Sequence, residues 1–283
     1  MNLTYCGRSF SPPELERIRA CTVVEPTRQA VARAVCTAFD WRKPDGGLKT
    51  MSCKVALLRM HRDGHITLPP PRSAPRQIRP TQPCDLQPQP LAGSRRALGE
   101  ITLRAIRHTA DSHLWNGLIA AHHYLGYYPL PGAQIRYLIY AQGQLLGALG
   151  FGAAAWKVAP RDQYIGWSMP QRQSRLHLIV NNSRFLLLPW IRVRFLASTV
   201  LALAARQLPH DWHARYGYRP LLLETFVERP RFAGTSYRAA NWICLGQTQG
   251  RSKLDRHHLR DKPLKDIYVL PLDRRFRQNL TAP

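Results

Sequence analysis

The chain has 283 residues, enough for two domains, and its 45% apolar content supports a packed core rather than a disordered polymer. Its 41 Lys and Arg face 17 Asp and Glu, giving a formal net charge of +24. Such a balance selects polyanionic partners, nucleic acid foremost. No run of about 18 apolar residues and no basic amphipathic stretch occurs, so a membrane partner is not expected.

The predicted elements begin with a small helical unit over residues 8–72. Ser11-Pro12-Pro13-Glu14 has the form of a capping box, and opens a helix to about Val24 that buries Leu15, Ile18 and Cys21. Thr27 caps a second helix with Val31, Ala34, Val35 and Ala38 inward, ended by Trp41 and the turn Pro44-Asp45-Gly46-Gly47. A third helix, about Thr50 to Arg62, carries Met51, Val55 and Leu58 on one stripe, read as its core face. Asp63-Gly64 breaks it, and His65-Ile66-Thr67-Leu68 reads as a short strand. Three helices followed by a turn and a strand make a winged helix-turn-helix pattern, whose third helix enters the major groove. Its candidate contacts are Lys49, Ser52, Lys54, Arg59 and Arg62.

Residues 69–90 hold eight prolines, so 73–97 is read as an extended linker. The charge is spread on both sides of it: 12 basic and 6 acidic residues in 1–72, 25 and 10 in 100–283. The second domain, 98–276 with a tail at 277–283, alternates strands and helices. Strands are expected at 101–106, 135–140, 145–151, 176–180, 221–227, 243–248 and 267–270. A tight turn at Gln142-Gly143-Gln144 makes a hairpin of the second and third. Helices are expected from a Ser112 cap to His123, from Ile191 to Leu208, and over 235–242. This makes the chain α+β. Its C-terminal element order resembles the GCN5-related acetyltransferase (GNAT) fold. That fold implies a glycine-rich pyrophosphate turn, aligned here with Arg192-Val193-Arg194-Phe195-Leu196-Ala197. Phe195 replaces its key glycine, so no cofactor is expected from this turn.

The segments His123-Tyr124-Leu125-Gly126-Tyr127, Ile135 to Ile139, Gly152 to Lys157, Arg161-Asp162 with Ile165-Gly166-Trp167, Val180 to Phe185 with Leu188-Pro189-Trp190, and Glu224 to Arg251 together resemble the DruA family. Its namesake belongs to the Druantia anti-phage defence system, and relatives accompany mobile elements and transposases. The resemblance implies a role in defence or mobile-element biology and supplies no reaction.

Candidate chemistry is sparse. Asp162 and Glu224 are notable among few acids, each at a strand edge beside basic residues. Converging, they could hold Mg2+ for a nuclease or transposase-like reaction; the alternative is that Glu224 pairs with Arg238 or Arg251, and Asp162 with Arg161 or Lys157. No Walker A loop, G-x-S-x-G or H-E-x-x-H occurs. His61, His65, His122, His123, His257, His258 and the six cysteines form no zinc pattern, and the absence of C-x-x-C pairs or a leader-like start points to a cytoplasmic, reduced chain. Aromatics interleaved with cations suit an unpaired strand, giving Lys157, Arg161, Arg184, Arg238, Asn241 and Arg251 as further nucleic-acid candidates. Duplex or single-stranded DNA is the expected partner. A CoA-dependent acyltransferase, or an adaptor for a helicase or transposase, is the remaining alternative.

Overall fold

The computed structural model describes residues 2–43, 46–72, 81, 84, 86–250 and 263–282. The chain divides into two units, 1–79 and 80–283.

The first unit opens on a hairpin absent from the sequence reading: β1 (Leu3–Tyr5) and β2 (Arg8–Phe10), antiparallel, turned on Cys6 (φ 52°) and Gly7 (φ 77°). Two successive positive-φ residues give the turn whose twist matches the strands. Helices α1 (Pro12–Val24), α2 (Arg28–Ala38) and α3 (Thr50–Arg62) follow. The capping box is present: the Ser11 hydroxyl accepts from the Glu14 amide, and a Glu14 carboxylate oxygen accepts from the Ser11 amide at 2.8 Å. Thr27 caps α2 through the Ala30 amide at 3.1 Å.

Two expectations fail here. Met51, Val55 and Leu58 are exposed on α3 at 70%, 39% and 44%, while Cys53, Ala56, Leu57 and Met60 form the buried face. Both stripes have helical spacing, and only the packing against α2 selects between them. The strand at 65–68 does not form; Ile66 and Leu68 anchor an irregular segment in the core. Among the described residues, no wing strand follows α3. The 39–49 connection, with its Arg42–Leu48 bridge, also exceeds the 3–4-residue helix-turn-helix turn.

The second unit is mixed α+β. In chain order it comprises β3 (Leu91–Gly93), β4 (Ile101–Ala105), α4 (Thr109–His122), β5 (Gln134–Ala141), β6 (Gln144–Ala153), α5 (Ala159–Ile165), α6 (Met169–Arg175), β7 (Ile179–Leu187), β8 (Ile191–Val193), α7 (Leu196–Tyr216), β9 (Leu222–Glu228), α8 (Thr235–Ala239), β10 (Ile243–Gln247), β11 (Lys265–Pro271) and α9 (Phe276–Thr281). Seven strands form one sheet in the order β10-β11-β9-β7-β6-β5-β4, antiparallel except for β7 beside β9. Side chains alternate across the sheet. Arg136 on β5 therefore reaches α4 through Ser112 and Asn116, while its neighbour Tyr137 reaches Asp211 on α7.

Several boundaries move for identifiable reasons. Ile191–Val193 is strand β8, not helix, because β3 pairs with it in parallel; part of the expected linker is thus sheet. Helix α7 starts at Leu196 and runs through Pro209 to Tyr216, ended by Gly217 in the left-handed region. Helix α4 starts ahead of Ser112, whose hydroxyl serves Arg136 instead of a cap. Residues 176–178 form a 3-10 turn before β7. The expected tail is α9, which buries Phe276 and Leu280 against Ile165, Ile179, Leu222 and Val269. No helix among the described residues is long and apolar enough to cross a membrane.

Candidate functional site

Strands β7 and β9 pair at only three positions, Ile179, Val180 and Asn181 against Leu222, Leu223 and Glu224, and then separate. Two arrangements are built around that divergence, one on each face of β9.

On one face lies a buried ion network. Arg161 on α5 is fully buried, as is Glu224. The Arg161 Nη1 donates to Glu224 Oε2 at 2.7 Å and to the Ala155 carbonyl at 2.8 Å; its Nε and Nη2 donate to Asp162 Oδ1 at 3.0 and 2.7 Å. Glu224 Oε1 accepts from the Ala155 amide at 2.7 Å. Asp162 Oδ2 accepts from Arg172 Nη1 at 3.1 Å and the Val158 amide at 3.2 Å, and Trp167 Nε1 donates to Oδ1 at 3.1 Å. Burial pushes the Glu224 carboxyl above the usual carboxylate range, against the pull of the Arg161 charge and the Ala155 amide. Two cations thus balance two acids, and all four carboxylate oxygens are engaged. The structure brings Asp162 and Glu224 together, but with Arg161 between them. Among the described residues, no three or more His, Cys, Asp or Glu side chains are placed to hold a metal ion.

On the other face the divergence leaves a cleft of about 300 Å³. His123, Tyr124, Asn182, Thr225, Phe232 and Tyr237 are on its walls. Tyr237 Oη donates to Asn182 Oδ1 at 2.8 Å, and Thr225 Oγ1 donates to the Asn182 carbonyl at 2.9 Å. Asn182 Nδ2 donates to the Gly150 and Arg184 carbonyls at 3.2 and 3.1 Å, bracing the bulge where β7 slips against β6. Gly234, before α8, has φ 68°, and a Cβ there would lie 2.3 Å from Tyr268 Oη. Close packing of that turn on β11 requires a glycine. The Glu224–Gln247 run is thus both core and cleft wall.

Burial, with the Arg184 charge beside it, pushes the His123 imidazole down to about 4 from an ordinary 6.5. The unfolded chain then takes up a proton between these values that the folded chain refuses, so stability falls as pH drops through that window. Unfolding midpoints of the wild type and His123→Gln, measured from pH 7 to 4, are expected to differ in slope, the variant being flatter. Parallel curves would remove His123 as the source.

The nucleic-acid candidates scatter. Arg161 and Arg184 are buried and do not present guanidinium groups at the surface; Arg184 donates to the Ser183 carbonyl at 2.7 Å and lies 4.4 Å from the Tyr128 ring. Arg238 is exposed, and its Nη1 is held by the Ala233 carbonyl and Tyr268 Oη at 2.8 and 2.9 Å. Lys157 and Asn241 are exposed, whereas Arg251 lies outside the described residues. Trp156 is half exposed with the Arg172 guanidinium 5.7 Å from its ring, while Trp167 and Trp242 are buried. In the first unit Lys49, Ser52 and Lys54 are half-buried, and Arg59 and Arg62 exposed. Reading the sequence alone overlooked Arg172, which closes the ion network from α6; nothing local marks it.

Phe195 occupies the glycine position of the expected pyrophosphate turn. It takes φ 61° at the start of α7, the conformation glycine favours, with its ring 69% exposed and Arg194 lying 5.3 Å from it. The backbone form is kept, but a phenyl ring and a cation stand where a cradle of amides is needed, so the turn does not fit a pyrophosphate.

Among solved structures, the chain is similar to a chimera of the spermidine N-acetyltransferase SpeG from Vibrio cholerae and hSSAT (12% identity, 60% of this chain, 96% of that chain, TM-score 0.40). It is also similar to a probable GNAT-family acetyltransferase from Chromobacterium violaceum (15%, 71% and 98%, TM-score 0.38) and a polyamine N-acetyltransferase from Drosophila melanogaster (12%, 61% and 100%, TM-score 0.38). At such scores the likeness carries no conclusion about fold or chemistry. No curated protein matches the chain. Residues 89–261, more than half of the chain and spanning both the ion network and the cleft, match the family described as Druantia protein DruA, and the chain belongs to that family.

Proposed function

We propose that this chain is a nucleic-acid-binding component of phage defence. Membership of the DruA family supports the defence role. The observation that carries the binding role is the charge left over after folding. Arg107, Arg192, Arg194, Arg206, Arg215 and Arg219 of the second unit are exposed and make no ion pair among the described residues, within a chain of net charge +24. Cations without an intramolecular counter-charge are free to displace counterions from a phosphate backbone. In the first unit, Lys54 and Arg59 on α3 are the residues offered to duplex DNA.

Binding of fluorescent duplex and single-stranded DNA across a salt series tests this reading. Micromolar or tighter binding that weakens steeply with salt is expected, and each lost phosphate contact should lower the duplex log-log slope by about 0.9. Lys54→Ala and Arg59→Ala assign that contact to α3 if the slope drops. No binding of either DNA at about 50 mM salt would end the proposal. Metal-dependent cleavage is not part of it, because Asp162 and Glu224 are engaged by arginines. The cleft beside Tyr237 favours a second reading, a small extended ligand such as an acyl carrier. Unfolding temperature with and without CoA tests that reading, and an unchanged midpoint excludes it.

A further inference from the structure

A second, larger cavity of about 730 Å³ opens where the β4–α4 connection, the start of β5 and the second half of α7 meet. Its volume lies in the range of small-molecule sites, about 300–1,000 Å³. Three arginines from three elements border it: Arg107 ahead of α4, Arg136 on β5 and Arg215 on α7. None makes an ion pair among the described residues. Arg136 is half-buried, donates from Nη1 to Asn116 Oδ1 at 2.8 Å and from Nη2 to Ser112 Oγ at 3.0 Å, and lies 5.3 Å from the Trp115 ring. Those neutral partners fix its plane without cancelling its charge. Burial above all, and to a lesser degree the charge of Arg215, disfavour its protonated form, against an opposing contribution from Tyr127. Folding thus places Arg136 and Arg215 on one cavity, where a bound anion would offset their repulsion.

The remaining polar groups agree. His108 also borders the cavity and makes no side-chain cap on α4, so among the described residues the N-cap side chain does not engage the first-turn amides of that helix. Asp211, an acid on the wall, keeps its charge, since Tyr137 Oη at 2.8 Å and Gln207 Nε2 at 2.9 Å on its Oδ2 are neutral, but three arginines outnumber it. Asp111 in the first turn of α4 is paired with Arg104 at 2.9 Å. The rest of the wall is mixed: Ala105, Ile106, Ile135 and Ala214 add apolar surface, and Thr109, Ser112 and Gln134 add neutral hydrogen-bonding groups. One held guanidinium and two exposed ones at one site, beside apolar and neutral polar groups, suit an oxyanion joined to a larger, less charged body.

We propose that this cavity binds a nucleoside phosphate, its phosphate bridging Arg136 and Arg215, with Arg107 at the mouth. The nucleoside phosphate is either a free nucleotide or the 5′-phosphorylated end of a strand. The proposal goes beyond nucleic-acid binding as such, since it requires a discrete saturable site.

The test is calorimetric titration of the full chain with AMP, inorganic phosphate, and a short single strand with and without a 5′-phosphate. Saturable one-site AMP binding, competed by phosphate, is expected. Arg215→Ala and Arg107→Ala, both at exposed positions, should weaken it about tenfold or more, whereas Arg33→Ala on α2 removes the same charge without effect. A clear preference for the 5′-phosphorylated strand identifies a strand-end site; AMP binding with no such preference identifies a free-nucleotide site. Absence of AMP and strand-end binding, or equal affinity in Arg215→Ala and Arg33→Ala, overturns the proposal. Loss of duplex binding alone would sink the reading of the previous subsection and leave this one standing.

Discussion

Replacing Glu224 by alanine is expected to lower the stability of the second unit by about 3–5 kcal/mol. The variant leaves Arg161, which has no exposed surface, with Asp162 as its one remaining counter-charge, and strips the Ala155 amide of its acceptor. Breaking a buried pair costs far more than the pair contributes over an apolar alternative, because the surviving charge stays desolvated. Against a total domain stability of about 5–15 kcal/mol, that loss is a large fraction. Urea unfolding of the full chain, resolved into a transition for each unit, gives the measurement. Glu224→Gln retains an acceptor for the Ala155 amide and should cost less. A loss below about 1 kcal/mol for the alanine variant would show that the network is not structural, and would return Glu224 to the list of candidate catalytic groups.

The second large effect is expected at Trp115. Its side chain is 1% exposed, and its Nε1 donates to the Leu149 carbonyl at 2.9 Å in the centre of the sheet. The ring lies so close over β6 that a Cβ on Gly150 would approach it to 2.9 Å. Trp115→Ala leaves a cavity beneath α4 and removes a donor from the Leu149 carbonyl, so about 3–5 kcal/mol should be lost. The same ring supports the Arg136 guanidinium, so the variant should also weaken AMP binding if the nucleoside-phosphate cavity is real. Trp115→Phe keeps an aromatic ring under Arg136 but removes the donor; it should cost less and retain most of the ligand affinity. Near-wild-type unfolding of Trp115→Ala would mean that α4 repacks freely and that the cavity wall it supports is not fixed.

These effects show why the sequence revealed the elements better than it revealed their roles. The hairpin at Gln142-Gly143 followed from local chemistry, and the Ser11 and Thr27 caps from short-range hydrogen bonding, so both were legible. Helix α3 was legible as a helix but not in its orientation, since its two apolar stripes differ only in what packs on them. Strand β8 resembled the start of a helix because its partner, β3, lies about a hundred residues earlier. Arg161 and Arg184 resembled phosphate-binding residues because a buried cation and an exposed one carry the same letter.

By itself, the sequence determined the charge, most strands of the seven-stranded sheet and the family. Each is a property of composition or of contiguous segments. Tertiary structure alone decided that Asp162 and Glu224 meet across Arg161, that β7 and β9 part to leave a cleft, and that Arg107, Arg136 and Arg215 face one cavity. The reason is physical: burial, pairing and like-charge proximity are relations between elements far apart in the chain, and only the closed sheet fixes which side chains share a face.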